Sequence, residues 1–145
     1  MSPQASPQSA AYRHSVRVYW EDTDAGGIVF YANYLMFFER ARTEWLRSLG
    51  VGQQALRDAT GGMFVVSETS VRYHRPARLD DLLMVTAGLH APGRASLVIA
   101  QQAWLQDAAG LPTELLCEGT IRIGWVDAAS LRPARIPTNI LEVLK

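Results

Sequence analysis

The chain has 145 residues, 48% of them hydrophobic and 19% charged, which are the proportions of one globular domain and exclude a disordered or membrane-embedded chain. Lys plus Arg and Asp plus Glu each total 14, so no net field draws it to nucleic acid or to an anionic membrane, and any anionic ligand must be met by a local patch. Cys117 is the only cysteine, which excludes an internal disulfide and a cysteine-rich metal site, agrees with a reducing compartment, and reads as a small buried hydrophobe rather than a nucleophile.

Residues 1–12 are expected to form a disordered tail, because Met1 to Ala10 has neither the basic nor the apolar region of a signal peptide. The domain is expected over 13–145. No window approaches the roughly 18 apolar residues of a bilayer span, so no integral membrane segment is expected and the protein is placed in the cytoplasm. Ser15 to Trp20 alternates Val16 and Val18 with Arg17 and Tyr19, the period of a half-buried strand. Glu21 to Phe30 holds two Asp, one Glu and two Gly without any period and reads as an irregular loop, the kind of segment in which function tends to reside.

From Ala32 to Leu49, the residues Tyr34, Phe37, Phe38, Ala41, Trp45 and Leu49 recur at helical spacing, with Gly50 as the C′ residue. Such a helix would extend about 27 Å at 1.5 Å per residue, enough to cross a small sheet. Glu39, Arg40, Arg42, Glu44 and Arg47 fall off the apolar stripe and are expected on a solvated face. Gln53 to Ala59 suggests a short second helix before the turn at Gly61-Gly62.

Four long strands are expected next, at Met63 to His74, Leu82 to His90, Ala95 to Trp104 and Leu115 to Trp125, all rich in β-branched and aromatic residues. The separators Pro76 to Asp81, Ala91 to Arg94 and Asp107 to Pro112 are turn-forming clusters, so consecutive strands are expected to pair as antiparallel hairpins. Arg132 to Pro137 then leaves the sheet as an extended tail. One strand, one long helix and four strands make an α+β fold, an antiparallel five-stranded sheet curled around a single helix. One helix cannot cover both faces and the edges of that sheet, so a homodimer or larger assembly is expected.

Asp22-Thr23-Asp24-Ala25-Gly26-Gly27 begins like a calcium loop, but the fifth position would be Gly26 and the twelfth Asn33, and a strand precedes it where a helix is required. No metal is expected. The loop lies between a strand end and the first turn of the long helix, where unpaired N–H groups can stabilise a developing oxyanion. Gly26 and Gly27 let a ligand approach the backbone closely, which makes Gly27 a candidate substrate-binding position. A carboxylate there can attack an activated carbonyl or deprotonate a water that does. On chemistry alone this reading and plain turn capping by Asp22 and Asp24 both stand.

Val18 through Leu35, including Glu21-Asp22-Thr23-Asp24-Ala25-Gly26-Gly27 and Tyr31-Ala32-Asn33-Tyr34, and on through Phe38-Glu39-Arg40-Ala41-Arg42-Thr43-Glu44, resembles the hot-dog-fold thioesterases. The resemblance is closest to the Tol-Pal-associated acyl-CoA thioesterases, with 4-hydroxybenzoyl-CoA thioesterase more distant. It covers about Ser15 to Val143, with Tyr73, Pro76 to Asp81 and Pro133 to Pro137 in register. It implies a helix wrapped by an antiparallel sheet, dimers often paired into tetramers with sites at the subunit interface, and hydrolysis of an acyl-CoA thioester without a cofactor. By motif position, Asp24 is the catalytic carboxylate, Asp22 its structural companion, and the backbone N–H of Tyr31 the group that polarises the thioester carbonyl. The Tol-Pal-associated branch usually has His at the position of Tyr31, whereas the hydroxybenzoyl relative has Tyr there.

The CoA phosphates need cations, and Arg72, Arg75 and Arg78, clustered around one strand end, are the candidates, joined by Arg94. A solvated strand end is the alternative reading. Tyr31, Tyr34, Phe37 and Phe38 line either an acyl pocket or plain core. His14, His74 and His90 lie in or near strands and read as structural. Three rivals remain open: action on acyl-carrier-protein thioesters, a dehydratase of the same fold, for which the loop and helix lack a His, and a non-catalytic module that binds acyl-CoA or a Tol-Pal partner.

Overall fold

The structure is a computed structural model that describes residues 11–144. The first ten residues of the expected tail lie outside the described residues, while Tyr12, assigned to that tail, opens the first strand. Strands β1 (Tyr12–Arg17), β2 (Gly62–Tyr73), β3 (Leu82–Ala91), β4 (Ser96–Gln106) and β5 (Pro112–Asp127) form one antiparallel sheet in the order β1-β3-β4-β5-β2. Helices α1 (Tyr34–Ser48), α2 (Gln53–Thr60) and α3 (Thr138–Leu144) complete the fold. This is the α+β hot-dog arrangement expected.

The helical stripe of α1 follows from its sequence: Tyr34, Phe37, Phe38, Ala41, Trp45 and Leu46 are all buried at spacings of three and four. They pack on the inward residues of the sheet, among them Leu83, Val85 and Ala87 of β3, Leu97 and Ile99 of β4, and Ile121 and Ile123 of β5. Each fully buried side chain of this size contributes about 1.5–3 kcal/mol, so α1 and the sheet cannot separate without losing most of the core. Arg42 departs from the expected solvated face. It is half-buried, its guanidinium donates to Gln101 Oε1 at 2.9 Å, and burial lowers its pKa. Gln101 is itself buried, its amide donating to the Phe38 and Thr86 carbonyls at 2.9 and 3.1 Å, so the amide and Arg42 satisfy one another inside the apolar layer.

Three expectations need correction. Strand β1 ends at Arg17 rather than Trp20, because Val18 bonds to the Asp80-Asp81 turn and Trp20–Asp22 closes a 3-10 turn instead. Strands β2 and β3 do not pair as a hairpin. β2 lies against β5, from Gly62 opposite Asp127 to Tyr73 opposite Cys117, and the segment after Tyr73 crosses the sheet to β3. That segment contains Pro76, bonds to the Asp24 loop through Ala77 and Arg78, and turns at Arg78 to Asp81 before entering β3. After Pro137 the extended tail gives way to α3, whose Ile140 and Leu144, one helical turn apart, are buried.

Cys117 is buried in β5, and burial, with Glu118 adding to it, pushes its thiol up to about 12. A thiol kept neutral is a poor nucleophile. Iodoacetamide in mildly alkaline buffer is therefore expected to leave native protein unmodified by intact mass while alkylating the urea-unfolded chain, and equal rates would contradict this burial.

Strand β2 is a sheet edge of twelve residues, and its Val66 to Ser70 stretch is exposed. Its pairing register shifts between Val66 and Glu68, but the rest of the edge is unbroken. A long open edge of this kind invites a further strand.

Candidate active site

The acidic loop is built as a small hairpin. Asp24 N donates to the Ile28 carbonyl at 2.9 Å, Thr23 and Val29 form an antiparallel bridge, and Phe30 N donates to the Asp22 carbonyl at 3.0 Å. Gly27, at φ 77°, makes the reversal, a conformation that L side chains rarely adopt. A second set of bonds fastens the hairpin to the β2–β3 connection, with Val29 N donating to the Ala77 carbonyl at 2.9 Å and Ile28 bridging Arg78. The Asp24 loop is thus positioned from both sides.

The two aspartates differ in burial and in partners. Asp22 is 3% exposed. Its Oδ2 accepts the Tyr19 N–H at 2.8 Å, and its carbonyl also takes Asn33 Nδ2 at 2.9 Å, so it ties strand end, loop and helix start together. Asp24 is exposed. Its Oδ1 accepts the Gly26 N–H at 2.8 Å, and its Oδ2 has no partner among the described residues. Turn capping and availability for chemistry are therefore not exclusive. One oxygen is fixed by the turn and the other is unbound among the described residues.

The helix is expected from Ala32, but Tyr31–Asn33 forms a 3-10 turn and α1 starts at Tyr34. Asn33 N donates to the Phe30 carbonyl at 2.8 Å, while the Tyr31 N–H, first in the turn, finds no acceptor among the described residues. Tyr31 itself is exposed, and Phe30, Leu35 and Met36 add exposed apolar surface beside it. Of the aromatic residues proposed for an acyl pocket, Phe37 and Phe38 are wholly core. Tyr34 is core with a bonded hydroxyl, accepting the Ala77 N–H at 3.0 Å.

The three arginines do not converge within one protomer. Arg78 lies against the loop through the bridge to Ile28, and its N–H is held by Asp81 Oδ2 at 2.8 Å. Arg75 pairs with Glu114 at 3.0 Å. Arg72 points into a trough of about 410 Å³ on the sheet surface away from α1, with Ser70, Thr86 and Glu118. Arg94 sits in the β3–β4 turn, where its carbonyl accepts the Ile136 N–H. His74 bonds Glu118 at 3.1 Å and His90 lines the same trough as Arg72, so neither reaches the loop. Among the described residues, no group of three or more His, Cys, Asp or Glu is arranged to hold a metal.

Sequence reasoning missed two supporting residues. Asn33 enters the sequence reading only as a failed calcium ligand and as one letter of the resemblance, yet its Nδ2 donates to the Asp22 carbonyl at 2.9 Å. Tyr73 was read only as part of a resemblance, yet its hydroxyl donates to the Tyr31 carbonyl at 2.8 Å. Asn33 stands at the helix entrance but makes no side-chain cap there, so the usual preference for Asn at that place does not foretell its bond to Asp22. No local signal existed for Tyr73, whose partner is remote in sequence.

The profile of the thioesterase superfamily matches residues 26–110. The chain is similar to the acyl-CoA thioester hydrolase YbgC of Escherichia coli, at 40% identity over 134 residues that cover 92% of this chain and 96% of that one. It is similar at the same identity to the acyl-CoA thioesterase YbgC of Haemophilus influenzae, over 86% of this chain and 88% of the relative. The three-dimensional structure of 4-hydroxybenzoyl-CoA thioesterase from a Pseudomonas species superposes with a TM-score of 0.83, covering 92% of this chain and 98% of the other at 19% identity, a likeness of fold.

Proposed function

The chain belongs to the thioesterase superfamily and hydrolyses the thioester of an acyl-CoA, and on that premise we propose that Asp24 carries the reaction. The observation behind this assignment is the pairing of an exposed carboxylate, one oxygen bound and one free, with an unclaimed N–H at the head of a helical segment. The thioester carbonyl accepts the Tyr31 N–H, which favours the negative charge that gathers on oxygen as the carbonyl carbon is attacked. The free Asp24 oxygen either bonds to that carbon or takes a proton from a water that does. Both routes add one water overall, break the C–S bond, and release the free acid and the CoA thiol. Gly27 keeps the approach to this turn clear of side chains.

Arg78, beside the loop, is the arginine we assign first to the CoA phosphates. Arg72 and Arg75 enter when a CoA runs between subunits past the end of β2. Charged surface pairs such as Arg75 with Glu114 are weak and exchange readily for a phosphate. The open β2 edge supports a homodimer formed through that strand, and two such dimers would give a homotetramer. No described helix is long and apolar enough to cross a membrane. A cytoplasmic location is our reading, and a sequence with a single, buried cysteine suits a reducing compartment. We take the catalytic domain as 13–145 extended by Tyr12, the first residue of β1.

An assay of thiol release from short, long and aromatic acyl-CoAs tests the reading and sets its acyl preference. Turnover of at least one class is expected, well above the rate in buffer alone. Binding without release would leave a non-catalytic module, and faster turnover of the same acyl group on acyl carrier protein would move the substrate to that carrier.

A further inference from the structure

Resting on the reading of Asp24 and Tyr31 above, we propose that Tyr73 is a positioning residue for thioester hydrolysis, its hydroxyl holding the turn that presents the Tyr31 N–H. Tyr73 is the last residue of β2 and stands opposite Cys117, on the side of the strand that meets α1. Its ring meets Tyr31 edge-on, with centroids 6.2 Å apart at 87°, and Tyr34 at 5.6 Å and 61°. From there its hydroxyl donates to the Tyr31 carbonyl at 2.8 Å. The sheet edge and the proposed oxyanion donor are thereby joined by one side chain.

Two peptide planes meet at Tyr31. The plane before it carries the N–H that would face the thioester, and the plane after it carries the carbonyl that Tyr73 grips. Fixing the second plane leaves little freedom for the first, because the first is also held at Phe30, whose N–H is bound by the Asp22 carbonyl and whose own carbonyl accepts the Asn33 N–H. A donor contributes to catalysis only when aimed at the place where charge develops. Burial raises the Tyr73 pKa, so the hydroxyl stays a donor through neutral and mildly alkaline pH. Tyr34, by contrast, uses its hydroxyl to accept from Ala77 N on the neighbouring connection and does not touch the Tyr31 carbonyl. The two tyrosines therefore hold different segments.

The test is Tyr73→Phe, which keeps the ring and its packing and removes only the donor. For the acyl-CoA turned over fastest, kcat is expected to fall roughly ten- to a hundredfold, the scale of a small misplacement of a reacting group. KM, the shape of the pH profile and the urea midpoint are expected to stay near wild type. A wild-type kcat, or a rise in KM alone, would overturn the proposal. So would a loss of kcat that tracks a lowered urea midpoint and is recovered by assay at reduced temperature, since that reports fold alone. Asp24→Asn is measured alongside: if it keeps wild-type activity, the site reading fails, whereas an inactive Asp24→Asn beside an unimpaired Tyr73→Phe sinks only the role of Tyr73.

Discussion

Asp24→Asn is expected to lower kcat roughly a thousandfold or more, the scale seen when one essential member of a catalytic set is removed. The substitution is chosen for what it leaves intact. An asparagine side-chain oxygen can still accept the Gly26 N–H that Asp24 Oδ1 accepts at 2.8 Å, so the turn keeps its shape. Only the negative charge and the free oxygen are lost, and both routes to the products require them. Release of CoA thiol followed with a colorimetric thiol reagent is a clean readout, because the protein's own thiol on Cys117 is buried. Activity within tenfold of wild type would remove Asp24 from the reaction.

Phe37→Ala is expected to cost about 3–5 kcal/mol of stability, the usual range for truncating a buried aromatic side chain. Phe37 is 0% exposed and lies on the face of α1 that the sheet covers, with the Tyr34 ring 5.9 Å away at 82°. The helix it anchors is the one whose entrance carries Tyr31, so loosening it should lower activity at warm temperatures before the chain unfolds. Urea unfolding at a fixed protein concentration measures the loss, and fixed concentration matters because an assembly's stability depends on it. A loss under about 1 kcal/mol would mean that the pocket around Phe37 collapses without strain or is less buried than described.

The long helix and most strand positions were legible in the sequence because they depend on local periodicity. The stripe from Tyr34 to Trp45 is buried as its spacing requires, and Cys117 is the inert core residue its context suggested. The fold class followed from the order of one strand, one long helix and four strands, the acyl-CoA thioesterase family from the long run of Val18 to Glu44, and both are borne out. What could not be read was pairing. The β2–β5 ladder joins distant segments, so a rule of nearest neighbours led to a β2–β3 hairpin that does not form. The same limit hid Arg42 on Gln101 and Tyr73 on Tyr31, contacts between residues remote in the chain. Cation placement was half legible: Arg72, Arg75 and Arg78 sit near one strand end, but alternation along the strand and the crossing that follows send them in different directions.

The strand order β1-β3-β4-β5-β2 puts the two strands made first at opposite borders of the sheet. During synthesis, β1 has no partner until β3 leaves the ribosome, and β2, whose Gly62 faces Asp127, has none until nearly the whole chain has emerged. The β3–β4–β5 meander holds the short-range pairings and is the natural first-formed unit, onto which α1 and both borders then close. The Asp24 hairpin, bridged to Arg78 and fed by β1, is completed only in that late closure. A nascent or truncated chain that lacks β5 therefore carries the whole Asp24 loop but neither the β2–β5 ladder nor the closed sheet that surrounds it.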